Sequence, residues 1–428
     1  MLCGNGLQLI SKWSAIVASL LLIIFCGCDS SEPDSPSEAA TTRGEIIRVD
    51  ELKRYTSGEV NQVFEDFGLP ITARYGVNVY IMEYMTVDVK GEMTLASGAV
   101  LIPQPAFSEL SVVSFHSFTT VNRLSVPSRG GLNQILVGMI FSGDGYLTVM
   151  PDMIGLGSST EFHPYLIADV SATTVIDMLR SVTQWATSES WSISQEVFLT
   201  GYSAGGYITL ATHRAIEADV SDEYKVVASA PMAGPYDLSG TMFELMLRDE
   251  PYGQPYFLPY ILMSFSEAYG LYESPSDYLA SPYDETLPPL FDGTHSSADV
   301  NAAMPEIPKQ IVRSDVLQRV KEDMNHKMIQ RLRENDLINW KPRSPIRLYH
   351  CAADALVPIE NAQIAVQRFG SIATLVDPSP QSGHTSCGLS AIAGARAWFN
   401  STVTNNSSER VQEPVNHHDQ GRYMIENQ

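Results

Sequence analysis

A chain of 428 residues with a formal charge of −22 exceeds a typical single domain, and so acidic a balance argues against a nucleic-acid binder, which needs clustered Lys and Arg. Its 44% hydrophobic and 18% charged residues exclude a disordered or fibrous polymer. No internal repeat and no metal-ligand spacing is present, so length and composition leave one large α/β-type domain with an insertion as the natural reading.

Residues 1–28 read as a signal. Lys12 supplies a lone positive charge, an apolar run follows from Ala15 through Phe25, and small Gly27 precedes Cys28. The arrangement resembles a bacterial lipoprotein signal, which implies lipidation of Cys28 and an N-terminal lipid anchor in a membrane. Ordinary secretion and an uncleaved anchor are the alternatives, although the run is shorter than the ~20 apolar residues a span needs. Export places the folded part where disulfides form. Of five cysteines, Cys3 and Cys26 leave with the signal and Cys28 takes lipid, so Cys351 and Cys387 remain. Residues 29–45, rich in Ser, Glu, Pro and Thr, read as a flexible tether.

From Ile46 the folded core begins. Tyr80–Val89 and Ala99–Ile102 read as extended segments around a turn at Lys90-Gly91. Apolar runs then predict strands at Leu110–Phe115, Tyr146–Met150, Val197–Thr200, Val226–Ala230, Ile346–Tyr349 and Ala373–Val376. Between them lie helical spacings: Ala172, Val175, Leu179, Val182 and Ala186, then Ile208, Ala211, Ala215 and Ala218. Buried strands alternating with amphipathic helices predict a mostly parallel sheet covered on both faces. The core reads as 46–238 plus 346–400. Residues 239–345 interrupt the alternation and are too long for a structureless loop, so they form an inserted helical cap. Its first half is crowded with aromatics, Tyr252, Tyr256, Phe257 and Tyr260 among them, which serve as an apolar acyl- or aryl-binding wall or as the cap's own core. Residues 401–428 read as a polar tail.

Gly201-Tyr202-Ser203-Ala204-Gly205 is a G-x-S-x-G sequence placed after a strand and before a helix, the context of a nucleophile elbow. A serine hydroxyl needs a base, and the base needs an orienting carboxylate. On an elbow of this kind the chain order is Ser, acid, His, each on a post-strand loop. Asp354 follows Ile346–Tyr349 and His384 follows Ala373–Val376, so both fall in order. Asp377 is the rival acid but lies too close to the strand that carries His384. Other histidines have plainer readings. His350 packs at a strand end, His213 sits on the exposed side of its helix, His295 and His326 are surface positions of the insertion, and His417 and His418 lie in the tail.

Met150-Pro-Asp-Met-Ile-Gly-Leu-Gly-Ser158, His163-Pro-Tyr165, Thr200–Gly206, Ala233-Gly-Pro-Tyr-Asp-Leu238 and the Gly91–Pro103 pattern together resemble the secretory-lipase-like α/β-hydrolases, over roughly Tyr80 to Trp398. The resemblance implies an α/β-hydrolase fold with a helical cap and hydrolysis of a small-molecule or lipid ester by Ser203, Asp354 and His384. It implies no cofactor and no metal. An oxyanion hole needs two N–H groups. Ala204 supplies one by position; relatives carry His-Gly where this chain reads His116-Ser117-Phe118-Thr119, and Phe118 is the first candidate for the second, with Ser117 and Thr119 behind it. Asp152, His163 and Tyr165 read as loop-fixing residues. A serine peptidase with the same triad and a non-catalytic binding protein of the same fold are the rival functions. Cys351 lies three residues before the acid and Cys387 three after the histidine. Loops that must meet can bring the two cysteines within the ~4.4–6.8 Å Cα separation of a disulfide; two buried free thiols are the alternative. Nothing in the sequence assigns an oligomeric state.

Overall fold

The structure, a computed structural model, describes residues 42–105 and 109–406. The signal with Cys28, most of the tether and residues 407–428 lie outside the described residues. Among the described residues one sheet has nine strands: β1 (Ile46–Tyr55), β2 (Gly76–Val87), β3 (Met93–Gln104), β4 (Leu110–His116), β5 (Leu147–Pro151), β6 (Ile193–Tyr202), β7 (Lys225–Met232), β8 (Ile346–Tyr349) and β9 (Ala373–Val376). They lie side by side in the order β1-β2-β3-β5-β4-β6-β7-β8-β9. The first three are an antiparallel meander, β3 runs antiparallel to β5, and every later neighbour pair is parallel. The β2–β3 turn closes because Gly91 takes φ 81° and the Asp88 carboxylate accepts the N–H groups of Lys90 and Glu92 at 2.8 Å.

The buried strands are apolar on both sides because helices cover both faces. α1 (Ser57–Asp66), α2 (Leu132–Ser142) and α12 (His384–Asn406) pack on one face through Phe64, Met139 and Phe399. α3 (Ala168–Ser188), α4 (Ala204–Asp219) and α11 (Glu360–Phe369) pack on the other through Val175, Tyr207 and Phe369. Between β7 and β8 the chain leaves the sheet for the cap. Its helices are α5 (Phe243–Met246), α6 (Phe257–Tyr269), α7 (Tyr283–Thr286), α8 (Ser297–Ala302), α9 (Ser314–Glu322) and α10 (Lys327–Glu334). An apolar cavity of about 80 Å³ lies inside it, walled by Met242, Leu258, Leu262, Val316, Val320 and Met328 among others. No helix among the described residues is long and apolar enough to cross a membrane.

Two boundaries differ from the sequence reading. Thr42–Glu45 is no longer tether: Arg43 Nε donates to Asp177 at 3.0 Å and the Gly44 N–H to Met85 O at 2.8 Å. At the other end the helix passes Ser401 and runs to Asn406, because Val403 packs against the same cluster as Phe399. His213 is a correction of another kind. It is fully buried, bonded to Ser229 Oγ at 2.8 Å and to Glu217 Oε1 at 3.0 Å, because the far face of α4 is covered by β7 and by Trp340.

Candidate active site

Parallel strands end on one edge of a sheet, and loops that follow neighbouring strands meet there. The loops after β6, β8 and β9 carry Ser203, Asp354 and His384. Ser203 joins β6 to α4 with φ 60° and ψ −120°, outside the regions an L-residue ordinarily occupies. Its N–H is anchored to Met232 O at 2.8 Å. So sharp a turn brings backbone against backbone: a Cβ on Gly205 would collide with the carbonyl of His116, and one on Gly206 with that of Met232.

The three polar side chains form a chain of hydrogen bonds. His384 Nδ1 lies 2.6 Å from Asp354 Oδ2, and His384 Nε2 lies 2.8 Å from Ser203 Oγ. An ionised carboxylate only accepts, so Nδ1 carries the proton and Nε2 presents its lone pair to the serine hydroxyl, which donates. Asp354 Oδ1 accepts the N–H groups of Leu356 and Val357 at 3.0 and 2.9 Å. Burial alone would raise Asp354, but contacts with His350 and His384 and the Val357 N–H outweigh it and hold the carboxyl at about 2. Asp377 does not compete: it accepts from the Ala352 and Ser379 N–H groups. Ser203 is 6% exposed, so a reacting carbonyl here is largely desolvated.

The loop after β4 borders the elbow, since His116 at its start is registered against Gly201. Burial pushes His116 down to about 3, so it is neutral, and its ring is held by Thr209 and Ser114 at 2.8 and 3.0 Å. Ser117, Phe118, Thr119 and Ala204 together line a cavity of about 20 Å³, room for little more than one water. Ala204 opens α4 and its N–H precedes the first intrahelical bond, which runs from Gly206 N to Ser203 O. The Phe118 side chain is 58% exposed at this rim.

The chain is 26% identical to the rice cell-wall-degrading esterase LipA of Xanthomonas oryzae, over 86% of this chain and 98% of that one, with a TM-score of 0.73. A presumed hydrolase of Legionella pneumophila superposes with a TM-score of 0.79 at 24% identity, over 86% of this chain and 100% of that one. The fold is that of the α/β-hydrolases. Candida antarctica lipase A in its closed state is similar too, at 15% identity and a TM-score of 0.63, over 87% of this chain and 84% of that one. No family profile matches the sequence, and no curated protein matches it significantly.

Within this fold, Cys351 and Cys387 are joined, their sulfurs 2.03 Å and their Cα atoms 6.0 Å apart. Asp152 accepts from Ser97 Oγ at 2.6 Å and from the Ser128 N–H at 3.2 Å. His163 Nδ1 donates to Ile154 O at 2.8 Å. Tyr165 bonds Thr119 Oγ1 at 3.0 Å and stacks on Tyr260 with ring centroids 4.5 Å apart. The cap aromatics therefore dock the cap: Tyr260 Oη donates to Thr120 O at 3.1 Å and Tyr252 Oη to Leu356 O at 2.7 Å. They tie it to the Phe118 loop and to the acid loop. Of the aromatic run, Phe243 and Tyr272 line the apolar cavity, whereas Tyr256 and Phe257 do not. Sequence reasoning missed Tyr202, whose hydroxyl donates to the carbonyl of His384. Its place between Gly201 and Ser203 carries no spacing signal for that contact.

Proposed function

We propose that this protein hydrolyses carboxylic esters through an acyl-enzyme on Ser203. The observation that carries the reading is the hydrogen-bonded series Ser203–His384–Asp354 on a strained strand-to-helix turn. His384 Nε2 takes the serine proton as Oγ attacks the ester carbonyl, and ionised Asp354 stabilises the imidazolium. The N–H of Ala204 and a second one from the Ser117–Thr119 loop, Phe118 foremost, face the developing oxyanion. His384 then protonates the leaving alcohol, and a water activated by the same nitrogen releases the acid. The likeness to an esterase favours an ester over an amide.

A screen of p-nitrophenyl esters of graded acyl length, with matched anilides, tests the reading. Ser203→Ala should lower ester turnover by at least about 10³-fold and abolish fluorophosphonate labelling without unfolding the protein, because alanine fits the elbow. Anilide turnover matching ester turnover would favour a peptidase, and a Ser203→Ala variant active within a few-fold of wild type would remove Ser203 as nucleophile. We propose further that the enzyme works outside the cytoplasm on a lipid anchor at Cys28, a location the paired cysteines support. Mass spectrometry of the mature N-terminus decides this: a Cys28 without lipid argues against the anchor.

A further inference from the structure

His350 directly follows β8, is fully buried, and takes no part in the proton transfers above. Its Nε2 lies 2.7 Å from the carbonyl oxygen of Val357. A carbonyl only accepts, so Nε2 carries the proton. The same atom lies 3.4 Å from Asp354 Oδ2, the oxygen that accepts the His384 Nδ1–H. The opposite nitrogen, Nδ1, is buried with no hydrogen-bond partner. An orphaned buried acceptor costs about 1–3 kcal/mol. A phenylalanine would place a ring there with no orphaned nitrogen, so filling space does not by itself account for a histidine here. What histidine adds is the Nε2–H, and it meets the acid loop twice. Through Val357 O it fixes the residue whose own N–H donates to Asp354 Oδ1, and its positive edge faces the other carboxylate oxygen.

We infer that His350 is a positioning residue for Asp354, holding the carboxylate and its loop in the orientation that aims His384 Nε2 at Ser203. The inference rests on the proposed ester hydrolysis. A misplacement near 1 Å can cost ~10²-fold in rate, so a partial loosening of the acid should appear in kcat and leave substrate binding alone.

The full chain carrying His350→Phe, compared with wild type on p-nitrophenyl butyrate, should show kcat lowered about ten-fold with KM within about two-fold. His350→Gln, whose amide places a donor near the same point, should recover kcat to within about three-fold of wild type. A folded His350→Phe variant with wild-type kcat, or a His350→Gln variant no better than His350→Phe, would overturn the role. Imidazole ¹⁵N–¹H correlation spectra of the wild-type protein give a second measurement that needs no folded variant: His350 is expected as the Nε2–H tautomer, and the Nδ1–H tautomer would remove the donor and the proposal with it. Should wild-type protein turn over no ester and leave Ser203 unlabelled, the ester reading falls, while the tautomer still decides the His350 geometry.

Discussion

Gly205 and Asp354 show how little freedom the site leaves a single residue. A methyl on Gly205 meets the main-chain oxygen of His116, which has no flexible end to swing away. Gly205→Ala should therefore destabilise by about 3 kcal/mol, read as a lower urea midpoint. Asp354 offers a pH test. Its folded value of about 2 lies below the ~4 of an unfolded aspartate. The stability it contributes is thus present above pH ~4 and lost as pH falls through about 2, roughly 2 kcal/mol over that window. Glu217, also at about 2 despite burial because His213 and the Arg343 N–H hold it, loses its share in the same range. Asp354→Asn should flatten the stability curve between pH 4 and 2 relative to wild type, measured by urea unfolding at each pH. That Ser203, Asp354 and His384 would meet was legible in the sequence, because chain order and post-strand position constrain them. His350 and Tyr202 were not, because their partners are main-chain carbonyls that only the folded loops bring near.

The strands from β4 to β8 announce themselves as short apolar runs because helices cover both faces of that part of the sheet. β1 gives no such signal: most of its residues are exposed, as befits an edge strand with one neighbour. α2 was missed for the opposite reason, since seven of its residues are buried and no polar stripe marks its period. The cap was legible as an insertion, whereas its docking was not. A testable strain sits where it returns to the core. Asp336 accepts from the Ser239 N–H and hydroxyl at 3.0 and 2.6 Å, yet burial, with Asp237 nearby, raises its carboxyl to about 6. A raised folded value means the ionised form disfavours folding, so stability is lost as pH climbs from ~4 through about 6. Asp336→Asn keeps the acceptor and removes the charge. It should raise stability by about 1–3 kcal/mol at pH 7 and change little at pH 4, measured as thermal midpoints at both values.

Across the whole molecule the site is assembled from segments far apart in sequence. Ser203 and His384 are separated by 181 residues, with the cap between them, whereas Asp354 and His384 lie on loops joined through Cys351 and Cys387, 36 residues apart. Cross-linking that loop is worth roughly 3–4 kcal/mol in the chain-entropy account. Cys387→Ser should therefore lower the urea-derived stability by about that amount and, by loosening the acid and histidine loops, lower kcat more than it changes KM. A double Cys351→Ser/Cys387→Ser chain with unaltered stability would refute that contribution.

The long separation also sets when activity can begin. A chain made from its N-terminus presents Ser203 early, but His384 follows only after the whole cap has emerged and β9 has joined the sheet. Contacts so distant in sequence form slowly. Until they do, on the proposed ester hydrolysis, the nascent chain carries only an unactivated hydroxyl and leaves the esters around it intact.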